Sequence, residues 1–220
     1  IASMVTDAKL LVDGYLGELN ERQRRKLESS IGKGQYLLNL VRDYLNLSRL
    51  EDTSLKANVR PEVNLRAQVI EPIVDLVWAE IAAKHMSLER YYADDLPTVE
   101  CDPGIMRIAL GNLLTNAVKY GREGGVIRLH IEVDNELIHL TVWNEGPGFA
   151  RSERTKLFRK FVRLGDPELK KEKGTGLGLY STWRIMQLHR GRVPARSEQV
   201  AWAEFSLSFP VRQSDDRTTT

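Results

Sequence analysis

The chain has 220 residues, with 32 Lys and Arg against 30 Asp and Glu, so its net charge is +2, and 42% of it is apolar. That length holds one or two domains with a real core, and the near-even charge offers no nucleic-acid surface. The single cysteine, Cys101, excludes an internal disulfide and suits a reducing, cytoplasmic compartment. No apolar run reaches the ~18 residues of a membrane span, because Asp75 and Glu80 interrupt the most apolar helix, so membrane attachment would need segments outside this sequence.

Residues 1–50 are expected to form a helical hairpin. Leu27, Ile31, Gly34, Leu38, Val41, Leu45 and Ser48 step by four and three, which is an a/d seam, and Leu37, Leu40, Tyr44 and Leu47 widen it. Met4, Ala8, Leu11 and Tyr15 step the same way in a first helix, and "GELNERQ" supplies the turn with Asn20 as N-cap. A hairpin alone buries too little, so a homodimer with a four-helix bundle is expected, against the alternative that the seam packs on the second half of the chain. The basic run Arg22, Arg24, Arg25 and Lys26 reads as a solvated helix face. Ile1 lies in mid-helical pattern, which reads as a fragment.

Residues 51–61 read as a linker. From 62 to 210 the pattern becomes α/β: a short strand in "EVNLR", a helix over 68–84 and a strand over 86–92. Asp102 and Pro103 then open a helix over 103–120. "VIRLHIEV" and "LIHLTVW" alternate around an Asp134–Asn135 turn as a hairpin, a helix covers about 177–189, and strands fall in 192–197 and 202–209. The fold class is an all-α hairpin followed by an α/β sandwich, one mixed sheet with helices on one face. Residues 211–220 are expected to be a disordered tail.

Four stretches carry chemistry. In "KEKGTGLGLY", Gly174, Gly176 and Gly178 alternate at the mouth of a helix, which suits either an anion site at its N-terminus or a flexible or tightly packed loop. Neither a P-loop signature nor the strand that a dinucleotide fingerprint needs precedes it. In "GNLLTNAVKYG", Asn112, Asn116 and Lys119 share one helix stripe; amide oxygens suit a hard cation, and Lys119 and Tyr120 add a cation and a hydroxyl. "VWNEGPGF" leaves a strand with Asn144, Gly146 and Gly148, which lets a flat ring lie against backbone. "KLFRKFVR" places Phe158 and Phe161 on one side of a short amphipathic helix over 156–163.

In this order, after a helical hairpin, the four stretches resemble the N, G1, F and G2 boxes of the sensor histidine kinases of two-component systems, whose catalytic domain has the Bergerat ATP-binding fold. The resemblance covers about 4–210. It implies ATP and Mg2+, with Asn116 as the principal metal ligand and Asn112 beside it, and a catalytic role for Asn116 and Lys119. It places Lys119, Tyr120, Gly174, Thr175, Gly176, Leu177 and Gly178 at the phosphates. Asn144, Gly146, Gly148, Phe158 and Phe161 would belong to the same nucleotide site, and 164–173 would be a lid. The implied activity is ATP-dependent autophosphorylation of a histidine and transfer to a response regulator receiver domain.

The sequence departs from the family twice. The position of Asn144 usually carries Asp, which accepts from the adenine amino group with full charge. None of His85, His130, His139 and His189 lies in the phosphoacceptor motif, and alignment with the family puts that histidine several residues before Ile1. The alternatives are a degenerate kinase acting as a nucleotide-gated dimeric scaffold, and a serine kinase or ATPase of the same fold.

Overall fold

The computed structural model describes residues 1–51, 57–93, 95–164 and 174–213. Helices α1 (Ala2–Val12) and α2 (Glu21–Glu51) form the expected hairpin. A capping box starts α2: the Gln23 N–H donates to Asn20 Oδ1 at 2.9 Å and the Asn20 N–H donates to Gln23 Oε1 at 3.0 Å. Such a cap contributes about 1 kcal/mol. The face that α1 turns to α2 is centred on Val5 rather than on Met4 and Tyr15, which are 72% and 76% exposed. Val5 sits over Gly34, where a Cβ would overlap its Cγ2. The seam of α2 therefore divides: Leu27, Ile31, Gly34 and Leu38 are half-buried, whereas Val41 and Leu45 are 50% and 54% exposed. At its end α2 buries Leu47 and Leu50, and Leu50 belongs to the main core.

Strand β1 (Arg60–Val63) begins two residues before the expected strand and pairs antiparallel with β3 (Val99–Cys101). The expected linker extends to 61; α2 covers its first residue, and 52–56 lie outside the described residues. A π-type turn at Arg66–Ile70 leads into α3 (Glu71–Ala83), with Pro72 in its first turn. The main sheet has the order β2 (Ser87–Tyr92), β4 (Val126–Asp134), β5 (Leu137–Glu145), β7 (Trp202–Pro210), β6 (Ala195–Glu198). It is mixed, as expected: β2 and β4 are parallel and the remaining pairs antiparallel. The β4–β5 turn falls on Asn135 and Glu136, both at positive φ (47° and 63°), one residue later than expected.

Period-two alternation puts Ile127, Leu129, Ile131, Ile138, Leu140, Val142, Leu207 and Phe209 on the covered face. Helices α3, α4 (Pro103–Tyr120) and α5 (Gly178–Leu188) supply the other half of the core. The opposite face is open and carries Arg128 stacked over Trp143, at 4.3 Å from guanidinium to ring centroid. Cys101 is sealed in the core, and burial pushes its thiol up to about 12. Residues 211–213 do not behave as tail. The Val211 N–H donates to Glu136 O, the Glu100 N–H to Val211 O, and the Gln213 side chain to His189 O. The rest of the expected tail, 214–220, lies outside the described residues. Among the described residues no helix is long and apolar enough to cross a membrane.

His189 is fully buried at the end of α5, with Nδ1 2.8 Å from Ile185 O and Nε2 accepting the Asp102 N–H at 3.0 Å. Burial, the largest cause, holds its imidazole below the ordinary value. A folded pKa below the unfolded one means that the contribution to stability is complete above about 6.5 and is lost as pH falls through that value. We expect melting curves between pH 7 and 5.5 to show wild type losing up to ~1.4 kcal/mol per pH unit more than His189→Gln. Parallel slopes would show that His189 takes up its proton in the folded state.

Candidate functional site

Helix α4 has two unlike faces. Met106, Ala109, Leu110, Leu113, Leu114, Ala117 and Val118 are buried, while Asn112, Asn116 and Lys119 face a cleft of about 1260 Å³. Asp102 fixes where the helix starts: its Oδ1 accepts from the N–H groups of Gly104 and Ile105 at 2.9 and 3.3 Å. Asn112 Nδ2 donates to Gly178 O at 3.0 Å, which ties α4 to the first turn of α5. That bond, with the apolar packing of α4 against Ile185 and Met186 of the helix that follows the glycines, joins the asparagine stripe and the glycine segment at one site. Asn116 is half-buried and, among the described residues, its amide has no hydrogen-bond partner. Lys119 Nζ lies 3.1 Å from Tyr120 Oη and 4.6 Å from that ring's centroid. The Lys84 ammonium donates to Lys119 O at 2.7 Å and so holds the C-terminal end of α4.

At the exit of β5, Asn144 is 5% exposed and lines the cleft. Its Nδ2 donates to Glu145 O at 3.0 Å, which leaves the carbonyl oxygen as the group it can offer to a ligand. Gly148 also lines the cleft, at φ 61°, with the Ser197 hydroxyl and the Glu198 and Trp202 carbonyls packed around its Cα. Gly146 stands behind the site, against the Tyr120 carbonyl.

The two phenylalanines do not share a side. Instead of an amphipathic helix over 156–163, a 3-10 helix spans Arg151–Lys156 and a turn follows. Phe158 packs under the site against both core clusters, whereas Phe161 is 61% exposed at φ 59°. The Phe161 N–H donates to Gly176 O at 3.0 Å, so its backbone rather than its ring supports the glycine segment. Gly174 sits against Lys119 Nζ, Thr175 and Gly176 line the cleft, and Leu177 is buried beneath it as the residue before α5. Of the expected lid, 164–173, only Leu164 is described, and it too lines the cleft.

One wall was not foreseen. Gln35, Asn39, Arg42, Asp43 and Asn46 of α2 line the cleft opposite α4. The steps 35, 39, 42, 46 form a polar stripe at helical spacing beside the apolar seam, which was the available signal. Among the described residues no three His, Cys, Asp or Glu side chains converge to hold a metal. The donors offered to a cation on α4 are the amides of Asn112 and Asn116.

Two of the glycines differ in what a side chain would meet. A Cβ at Gly148 would come within 2.8 Å of the Trp202 carbonyl and closer still to the Glu198 carbonyl, at a left-handed φ. At Gly174 it would meet the movable end of Lys119 at 2.6 Å. We expect Gly148→Ala to destabilise the fold by roughly 2–4 kcal/mol, and Gly174→Ala to leave the melting temperature nearly unchanged while displacing Lys119 and weakening anion binding. Equal melting temperatures for the two variants would refute this account of the turn.

The same fold occurs in known proteins. The fold matches the crystal structure of full-length ShkA in complex with AMPPNP, with a TM-score of 0.74 and 25% identity, over 97% of this chain and 46% of that one. It also matches histidine kinase ThkA in complex with response regulator protein TrrA, with a TM-score of 0.70 over 96% of this chain and 59% of that one; at 19% identity this shows the fold alone. The adaptive-response sensory kinase SasA of Synechococcus sp. (strain JA-3-3Ab) is 30% identical over 201 residues, which is 91% of this chain and 50% of SasA. The chain spans between about a fifth and a half of the length of the curated relatives it matches. The model of the histidine kinase-, DNA gyrase B- and HSP90-like ATPases matches residues 101–213, just over half of the chain, and this chain therefore belongs to that ATPase family.

Proposed function

We propose that this chain is the ATP-binding catalytic core of a sensor histidine kinase, transferring the γ-phosphoryl of ATP to a histidine and from there to an aspartate of a response regulator. The observation that carries the reading is the Asn112–Gly178 bond, which sets the asparagine stripe, Lys119 and the glycine segment around one cleft. Asn144 Oδ1 accepts from the adenine amino group, and its bonded Nδ2 fixes which end of the amide faces the base. Lys119, Tyr120 and the 174–178 backbone take the phosphates. The amide donor set fits a hard cation: Asn116, with Asn112 beside it, would hold Mg2+, which when bound supplies charge neutralisation at the phosphates. The chain's own contribution is orientation, through a donor array built before the substrate arrives. None of the four histidines lines the cleft, and His189 is sealed in the core, so the acceptor histidine is presented to the cleft from elsewhere.

The homodimer belongs to the same proposal. On α2, Leu37, Val41, Tyr44 and Leu45 are 45%, 50%, 58% and 54% exposed and fall on one side at steps of four, three and one. A second hairpin is the partner that covers such a stripe with like residues. A response regulator is the other proposed partner, as the response regulator protein TrrA is for ThkA, whose fold this chain shares.

Titration calorimetry with a non-hydrolysable ATP analogue should give one site per chain, lost in Asn116→Ala and on chelation of Mg2+, and weakened at least tenfold in Asn144→Leu. No binding by wild type at millimolar nucleotide would sink the kinase reading and favour a scaffold whose cleft is vestigial. Light scattering should give twice the chain mass, falling to one in Val41→Glu with Leu45→Glu; a wild-type monomer would show that the exposed stripe is left to solvent.

A further inference from the structure

Helix α2 is clamped to the catalytic domain at two places. At the first, the Thr175 hydroxyl donates to Asp43 Oδ2 at 2.6 Å, while Thr175 Oγ1 itself accepts the Leu177 N–H at 3.3 Å. Leu177 immediately precedes the eleven-residue α5. The Asp43 carboxylate is thus held where α5 begins, with the Lys119 ammonium beside neighbouring Gly174. Unpaired N–H groups, the positive end of the helix dipole and an ammonium are what an anion seeks. At the second place, at the end of α2, the Glu51 carboxylate pairs with Lys160 and accepts from Tyr180 Oη at 2.9 Å. Arg184 Nε donates to the Leu50 carbonyl at 3.2 Å. Bonds from Lys160 and then Tyr180 hold the Glu51 carboxyl below the ordinary range, so it carries its charge at neutral pH.

We propose that the Asp43 carboxylate fills the anion site that a nucleotide phosphate would take at Thr175, so that docking of α2 through Asp43 and Glu51 and binding of the triphosphate exclude each other. The proposal rests on the nucleotide reading of the cleft. Thr175 has one hydroxyl proton, and Asp43 takes it. A phosphate brought to the same hydroxyl would meet a carboxylate of like charge in a partly buried cleft, where the repulsion is weakly screened. One of the two must leave. Asp43 can leave only if α2 moves away from the glycine segment or its side chain turns out, and the Glu51 clamp opposes the first. Apparent nucleotide affinity is then the intrinsic affinity reduced by the fraction of chains already undocked.

The two clamps separate this device from a local charge effect. Asp43 lies beside the phosphates, whereas Glu51 acts on them only through docking. Calorimetric titrations of wild type, Asp43→Asn and Glu51→Ala with the ATP analogue and with adenosine would read both. The expected result is that each variant binds the ATP analogue roughly five- to tenfold more tightly than wild type, while all three bind adenosine equally. Tightening in Asp43→Asn alone would reduce Asp43 to a nearby charge and overturn the proposal. Equal ATP affinity in all three proteins would overturn it while leaving the nucleotide reading intact. Failure of every protein to bind either ligand would remove the nucleotide reading, and this proposal with it.

Discussion

The N-terminal end of α4 is the fixed point on which the site depends. Asp102 closes it from three directions: its carboxylate accepts from Gly104, Ile105 and the distant Asn58 N–H, and its own N–H is taken by His189. Successive residues of a helix are about 100° apart, so a cap displaced by one residue would rotate every side chain behind it. Asn112, Asn116 and Lys119 would leave the cleft, and Leu113, Leu114 and Ala117 would leave the core. Burial of the apolar face and placement of the polar stripe are therefore one constraint. The buried imidazole of His189 belongs to it, since a protonated Nε2 could not accept the Asp102 N–H.

Around this rigid helix the rim is built from segments that hold their shape by backbone contacts. Thr182 and Asn112 both address Gly178 O, which fixes the first turn of α5. The Ser197 hydroxyl accepts the Phe149 N–H at 2.8 Å and donates to Trp202 O at 2.7 Å, which pins the exit of β5 to the β6–β7 hairpin. The side chains expected to touch a ligand keep polar capacity for it: the Asn144 carbonyl, the Asn116 amide and the N–H groups of the Lys119 ammonium beyond the one given to Tyr120 Oη. This division between a bonded frame and uncommitted polar ends is what a preorganised site requires.

Much of this was legible in the sequence because it follows from periodicity and capping. The α4 bounds, the Asp102 cap and the Asn20 cap are local, and structure and expectation agree there. The β4–β5 turn moved by one residue because Asp134 pairs with Leu137, which leaves Asn135 and Glu136 to turn, although Asp-Asn is the better turn sequence. Phe158 and Phe161 misled for a related reason. Their spacing suits a helix, but the Phe161 N–H is taken by Gly176 O, a partner fifteen residues further along the sequence. The cleft wall on α2 could have been seen as a polar stripe. What could not be seen was which domain it would face, because that depends on how Glu51, Leu50 and Leu47 meet α5 and the core.

Helix α2 carries two stripes that a single rigid rod must satisfy together. Val41 and Leu45 lie on its exposed apolar side, and their chain neighbours Arg42 and Asn46 line the cleft, about 100° around the axis. Rotation of α2 that repacked the apolar side would sweep Arg42 and Asp43 past the glycine segment. Rotation that freed Thr175 from Asp43 would turn Val41 and Leu45 by the same angle. The Gly34–Val5 contact adds a further tie, since α1 rides so close to α2 there that the two helices must turn together. Under the docking device proposed above, a change of packing at the hairpin would therefore change the charge presented at Thr175, because α2 would turn as one rod.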